Sequence, residues 1–360
     1  MARTQVGVVA THPQTVLEDY SRVMRICNYQ RHLPKNKTTI VKLNLSWSLY
    51  YPACSTEPWQ LEGILRTLRE DGYEDLVAME NKTVVTDPIK GLKQNRWAKI
   101  LERYDVEFVP LMDVEWVPYD EVVKSDLPAI GEIFGDSHRI PEQFIGSNII
   151  HPPTMKTHGH TTITGAMKNA FGGLITERRH HCHKLIHEIL VDLLKIQREI
   201  HTGIFAVMDG TVCGDGKGPR TMKPEIHNYL LASADQVAID AVAAKMMGFK
   251  PEDIDFIKLA AEEGLGSINP EDVEILGEDI SEVDFQFKVG ESLVVWADKL
   301  FRKGTLSFLE HLIFNTPLFR LAILGSALYY DYFWYPFIGK RRIKRFKETE
   351  WGRLLDTYQY

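Results

Sequence analysis

The chain has 360 residues, 44% of them hydrophobic and 25% charged, so it can bury a core and wholesale disorder is excluded. Asp and Glu number 49 against 42 Lys and Arg, a net charge of −7, which argues against a globally basic nucleic-acid binder and leaves nucleic acid off the list of expected partners. Four scattered cysteines (Cys27, Cys54, Cys182, Cys213) form no C-x-x-C pair, which excludes a disulfide scaffold and any iron–sulfur cluster held by this chain alone.

Thr4–Ala10 reads as a short strand, and after Pro13 the residues Val16, Tyr20, Val23 and Cys27 repeat at helical spacing. Thr38–Leu45 is β-branched and apolar enough for a buried strand. Glu57–Asp71 carries Leu61, Ile64, Leu65 and Leu68 on one helical face and stops at Gly72. Leu76–Met79 is a short apolar run leading to Glu80 and Asn81, followed by a helix around Leu92–Tyr104 and extended runs at Val106–Pro110 and Val114–Pro118. Gly146–Ile150 reads as a strand, His151–Thr162 as a polar loop and Leu185–Ile200 as a helix. Two more strands at Gly203–Met208 and Asn228–Ala232 precede helices at Asp235–Met247 and Pro251–Glu263, each followed by glycine.

This rhythm predicts an α/β fold with a mainly parallel sheet and helices on both faces. Residues 1–285 are expected to form the body and 286–360 a helical tail. The N-terminus lacks an apolar signal core, and no charge-free run approaches the length of a membrane span, which points to a cytoplasmic protein. The tail is distinctive: YYDYFWYPF at 329–337 is followed by KRRIKRFK at 340–347. Aromatic rings beside a basic cluster suit peripheral contact with a membrane, while the commoner use of such a segment is an arm packed on the body or on a second subunit of a homo-oligomer.

The densest chemistry follows the strand at Gly146–Ile150. There Lys156, His158, His160, Thr164, Lys168 and Asn169 fall in one short segment with several glycines. Ligands of open α/β sheets bind beyond the carboxyl ends of strands, where lysines neutralise phosphate or carboxylate groups and glycines let backbone N–H groups approach an anion. A second cluster runs from Glu177 to His187. In helical form His180, His183 and His187 share one face and present imidazoles to a divalent metal ion, with Cys182 and Glu177 as further donors.

Asp209 sits at the expected carboxyl end of the strand 203–208, the usual place for a carboxylate that binds a cation or acts as a base. The glycine loop after it, with Gly216 and Gly218, matches neither reliable phosphate-binding fingerprint and takes its interest from position. Lys42 and Asn44 end the second strand at the same sheet edge. Ser233 and Asp235 read as helix caps, with Asp240 further along that helix, and the absence of G-x-S-x-G disfavours a serine hydrolase.

Together Lys42-x-Asn44, Lys156-x-His158, Thr164-Gly-x-x-Lys168-Asn169-x-Phe171-Gly172, Asp209-Gly210, Gly216-x-Gly-Pro219 and Ala232-Ser-x-Asp235-x-Val-Ala-x-Asp240 resemble the signature of the domain of unknown function 362 family. The resemblance covers roughly residues 38 to 280 and includes Gly264-Leu-Gly266. Many relatives resemble iron–sulfur proteins through an added ferredoxin-like segment. This chain has no such segment, so the resemblance implies that any cluster would come from a redox partner. The order His158, Thr164-Gly, Lys168, His183 is also faintly similar to the nickel-pincer lactate racemases.

The combined expectation is a metal-dependent enzyme acting on an anionic small molecule, a carboxylate or a phosphate, by redox or isomerase chemistry. Lys156, His158, Lys168 and Asp209 would be its catalytic groups. Lys42, Asn44, Thr164, Asn169, Gly216 and Gly218 would hold the anion, and His158, His160, His183, His187 and Asp209 the metal. The rival is a non-catalytic ligand-binding scaffold or assembly factor that acts through its tail.

Overall fold

Alternation along four strands divides the apolar residues between two cores. Val8, Ile40, Ile149 and Met208 join one apolar cluster, while their chain neighbours Val9, Val41, Ile150 and Val207 join another. Successive side chains of a strand point to opposite faces, so one sheet with both faces covered is the arrangement that buries both sets. The computed structural model describes residues 3–83, 85–175, 179, 181–292, 296, 300 and 324–359.

The strands are β1 Thr4–Ala10, β2 Thr39–Lys42, β3 Leu76–Glu80, β4 Glu107–Pro110, β5 Trp116–Pro118, β6 Arg139–Pro141, β7 Asn148–His151, β8 Thr154–His158, β9 Thr162–Thr164, β10 Gly203–Asp215, β11 Lys223–Ser233 and β12 Val273–Gly277. Ten of them form one sheet in the order β12-β1-β11-β10-β7-β2-β3-β4, with β8 pairing with β10 and β9, while β5 and β6 pair apart. Within the large sheet, β11 is antiparallel to β1 and β10, and β9 is antiparallel to β8. The remaining pairs are parallel, in line with the α/β expectation. Helices Ala166–Leu174, Ile186–Ile200, Gln236–Met246 and Asp255–Glu262 contribute to the first cluster, and Val16–Ile26 and Pro58–Glu70 to the second.

Three local expectations change. The helix expected around Leu92–Tyr104 is two short ones, Pro88–Gln94 and Ala98–Arg103, separated at Arg96, whose φ is +63°. The stretch His151–Thr162 is not a polar loop, because it contains β8, all five of whose residues are buried. Its polar side chains are satisfied internally, as when Thr154 Oγ1 donates to the Ala53 carbonyl at 2.9 Å, and so polarity there does not mean exposure. Strand β10 continues to Asp215, which puts Asp209 in mid-strand rather than at a carboxyl end.

The tail starts extended, with Val289 bridging to Gly216, and from Leu324 to Thr357 its described part is mostly helical and packs on the body. A π-helix, Leu328–Gly339, precedes α-helices Lys340–Phe346 and Glu350–Thr357. Trp334 lies 6.0 Å from the Trp47 ring and 5.4 Å from Tyr51, and Trp351 lies 5.1 Å from Trp59. Polar ties reinforce this: Trp47 Nε1 donates to Asp331 Oδ1 at 2.7 Å, and an Arg342 Nη donates to the Met222 carbonyl at 2.6 Å.

One helix governs the centre of the molecule. The N–H groups of Ala166 and Met167, at the start of Ala166–Leu174, donate to the buried Asp240 carboxylate at 2.6 and 3.1 Å. This meets the need of a helix N-terminus for acceptors. Burial pushes the Asp240 carboxyl up to about 7, against the pull of those two N–H groups. A Cβ on Gly165 would collide with the same carboxylate. Gly165→Ala is therefore expected to lower stability by about 2 kcal/mol, as for other overpacked sites, read from the urea midpoint; an unchanged midpoint would contradict the cap geometry.

Candidate functional site

Strands β2, β3 and β8 end at one rim of the sheet, and the helix Ala166–Leu174 crosses above it. Lys42 and Glu80 are the last residues of β2 and β3, and His158 the last of β8. Together with Asn44, Thr164, Lys168, Asn169, Phe171, Gly172 and Arg179 they line a cavity of about 120 Å³. Six of the sequence-predicted residues (Lys42, Asn44, His158, Thr164, Lys168 and Asn169) thus meet in one hollow. Lys156 stands behind it, donating to Asn44 Oδ1 at 2.7 Å, Thr154 Oγ1 at 2.6 Å and the Cys54 carbonyl at 3.0 Å.

A hydrogen-bond chain fixes the floor. Asn44 Nδ2 donates to Asn169 Oδ1 at 3.2 Å, and Asn169 Nδ2 donates to the Lys42 carbonyl at 2.8 Å. Asn169 Nδ2 is also 3.1 Å from His151 Nδ1, whose other ring nitrogen is 2.6 Å from Gln197 Oε1. Burial pushes His151 down to about 3, so this imidazole is a neutral structural link.

The charge balance of the cavity is uneven. Lys42 Nζ donates to Glu80 Oε1 at 2.9 Å and to the Leu43 carbonyl at 2.6 Å. Glu80 is the one carboxylate among the described lining residues, and Lys42 already uses it. Lys168 has no hydrogen-bond or ion-pair partner among the described residues and sits 5.3 Å from the Phe171 ring centre. Burial, with Arg179 nearby, pushes Lys168 down to about 8. Arg179 donates through Nη2 to the Gly172 carbonyl at 2.9 Å, and burial lowers it to about 10. Three buried polar atoms of lining residues lack a partner: Glu80 Oε2, Thr164 Oγ1 and Arg179 Nε. His158 is pushed well below the usual histidine range by burial and by Lys168, His160, His183 and Lys156, so it is a neutral imidazole. Its Nδ1 accepts from the His160 backbone N–H at 3.2 Å.

Other predicted residues lie elsewhere. Asp209 does not line the cavity. It shares the strand face of Val207, against the helices Val16–Ile26 and Pro58–Glu70. Its carboxylate accepts from Tyr20 Oη at 2.5 Å, Trp59 Nε1 at 2.9 Å and the Thr211 N–H and hydroxyl at 3.0 and 2.7 Å. These bonds, together with its mid-strand place, correct the assignment of Asp209 as base or ligand at the same rim. Gly216 and Gly218 are absent from the lining as well. Their loop lies against β8, where Thr157 Oγ1 donates to the Gly216 carbonyl at 3.0 Å, and Pro219 alone of this loop reaches the cavity.

The expected metal centre is not assembled among the described residues, where no group of three or more His, Cys, Asp or Glu is arranged to hold an ion. His160 and His183 stack at 4.7 Å with their rings 29° from parallel, an arrangement that lays the rings side by side rather than converging their lone pairs. His187 is drawn away: its Nδ1 accepts from the Phe256 N–H at 3.2 Å, and its Nε2 lies 3.8 Å from Asp255. The proposed donors Glu177 and His180 lie outside the described residues.

Sequence reasoning passed over Glu80 and Arg179. Glu80 carried a usable signal, a charged residue ending an apolar run next in the sheet to Lys42. In the sequence Arg179 is one member of a histidine-rich cluster, and nothing local ties it to Gly172. A larger groove of about 310 Å³, lined by Arg96, Lys99, Arg103 and Tyr358, contains none of the predicted residues.

The profile of the family described as "Domain of unknown function (DUF362)" matches residues 39–245, more than half of the chain, and the protein belongs to that family. All the lining residues fall inside the matched span, and the tail falls outside it. The chain is 26% identical over 176 residues to the "Thylakoid-associated protein sll1697" of Synechocystis, a match covering 47% of this chain and 52% of that protein. The chain thus spans about half the length of this curated relative. No solved structure matches.

The location of Asp209 makes a prediction. Asp209→Asn sets an amide N–H2 among donor groups, so stability should fall by about 2 kcal/mol while the folded variant binds sulfate at the cavity as the parent does. A folded variant that has lost sulfate binding would restore Asp209 to the site.

Proposed function

We propose that the cavity binds a small phosphate- or carboxylate-bearing molecule and that the protein is an enzyme moving a proton at it. The observation carrying this reading is the excess of buried positive charge: Lys168 and Arg179 share a hollow whose one described carboxylate is already paired with Lys42. A bound anion would be the missing counter-ion, with Lys168, Arg179 Nε and the Thr164 hydroxyl as its donors. Glu80 Oε2 is an unused acceptor, which favours a ligand that also offers a hydroxyl or amine beside its anionic group.

The proton chemistry follows from the same residues. Burial and the positive charge of Lys168 hold His158 neutral and weaken it as a base; an anion bound against Lys168 would offset that charge and raise its basicity, so that it takes a proton from a C–H or O–H next to the anionic group while the Lys168 ammonium gives one. Taking a proton at one atom and returning one at another is an isomerisation; it needs no co-reactant, and the protein is reset when the proton on His158 passes to solvent and Lys168 regains one from it. No step is assigned to a metal, because His187 and Asp209 are engaged elsewhere. The alternative, a binder that reads the anion without turning it over, shares the pocket and differs only in what His158 does.

We propose as well that this is a cytoplasmic protein that meets a membrane at its surface. Among the described residues no helix is long and apolar enough to cross a bilayer, and the similar stretch belongs to a protein named as thylakoid-associated.

Sulfate is a suitable probe because its charge stays constant across the pH range where Lys168 titrates. Calorimetry at low salt should show one sulfate site whose affinity falls as pH rises through about 8, since the protonated ammonium is the binding form. Lys168→Met should weaken binding about tenfold or more and remove that pH step. His158→Gln should keep sulfate binding, and loss of turnover in it would separate enzyme from binder. Absence of sulfate binding near pH 7, or binding indifferent to Lys168→Met, would refute the pocket reading.

A further inference from the structure

The π-helix Leu328–Gly339 faces two ways. Tyr330 and Trp334 are buried against the body, while Leu324, Leu328, Tyr332, Phe333 and Phe337 point outward, each at least half exposed, from 50% at Leu328 to 73% at Tyr332. The wide i→i+5 winding keeps Leu328, Tyr332, Phe333 and Phe337 on one side, with Phe333 stacked on Tyr329 at 6.2 Å and tilted against Phe337 at 5.7 Å. A contiguous apolar surface of this kind in water marks an interaction site.

We infer that this face is a docking surface for a bilayer containing anionic lipid. The inference rests on the membrane-surface location proposed above and names the surface responsible. Charge selects the occupant. Lys340, Arg341, Lys344 and Arg345 are exposed on the next helix, and no acidic residue lies between Asp331 and Glu348. Asp331 itself is held inward by Trp47, and Arg342 by the Met222 carbonyl. A symmetric contact with a second copy of the chain would bring two such cationic clusters together. Anionic headgroups would neutralise them while the rings enter the interface. The helix would lie in the plane of the membrane, with the cavity-bearing body outside it.

The test is co-sedimentation of the full chain with vesicles of phosphatidylcholine alone and of phosphatidylcholine mixed with phosphatidylglycerol. The parent should bind the mixed vesicles about tenfold or more tightly than the neutral ones, and lose that preference at high salt. Phe333→Ser with Phe337→Ser replaces two exposed rings, so the fold should persist by circular dichroism while mixed-vesicle binding falls about tenfold. Lys340→Glu with Lys344→Glu should abolish the lipid preference. If the parent binds mixed vesicles and both variants bind them equally well, this surface is wrong and the membrane location stands. If the parent binds neither vesicle, both fail. A ring variant that changes oligomeric state instead of vesicle binding would assign the face to a second copy and overturn the inference.

Discussion

Placing a cation in a protein interior without a counter-ion costs several kcal/mol, because water's solvation is lost and nothing replaces it. The rim of this sheet accepts that cost repeatedly. Lys156 is buried on three neutral acceptors; among the described residues Lys168 has no polar partner and lies 5.3 Å from the Phe171 ring centre, and Arg179 keeps one N–H unused. Burial accordingly lowers Lys156 and Lys168 to about 8 each. A core that served stability alone would be better packed with apolar residues. Held positive charge of this kind is what an anionic ligand would relieve, and the charge sits where parallel strands end.

The sheet also keeps two kinds of buried polarity apart. On the face of Val207, Asp209 is saturated by Tyr20, Trp59 and Thr211, and Glu57 beside it accepts from the Ala53 N–H at 2.7 Å and the Tyr50 hydroxyl at 3.0 Å. Burial and the nearby Asp209 push Glu57 up to about 8. These acids are closed by protein donors and fasten the helices Val16–Ile26 and Pro58–Glu70 to the sheet. Among the described residues, Lys168 and the Arg179 Nε–H at the rim are left open. Satisfied polarity fastens the fold, and unsatisfied polarity marks the site.

Much of this architecture is legible in the amino-acid sequence. Strand β1 and the helices Pro58–Glu70 and Ile186–Ile200 lie within a residue or two of their expected limits, because the apolar pattern is clear in all three and Gly72 marks the end of the first helix. The segment containing Lys156, His158, Thr164, Lys168 and Asn169 stood out by composition alone. Strand β8 was hidden because its polar side chains find buried partners, and a polar string then looks like a loop. Asp209 was misplaced because the glycines of Asp209–Asp215 look like the end of a strand, whereas β10 continues through them. Face parity contained the missing information: Asp209 shares the parity of Phe205 and Val207, which belong to the core opposite Lys42's neighbour Ile40. Long-range partners such as Glu80 for Lys42 come from the register of β2 with β3, which local sequence does not give.

The central claim is that the hollow at the rim is an anion site completed by its ligand. A crystal structure of the protein grown with tungstate, whose anomalous scattering locates the ion unambiguously, tests it most directly. A single strong peak is expected within hydrogen-bonding distance of Lys168 Nζ, with Arg179 and the Thr164 hydroxyl turned toward it. An empty cavity in which Lys168 pairs with a carboxylate of the chain itself, the ion binding only at surface lysines, would contradict it.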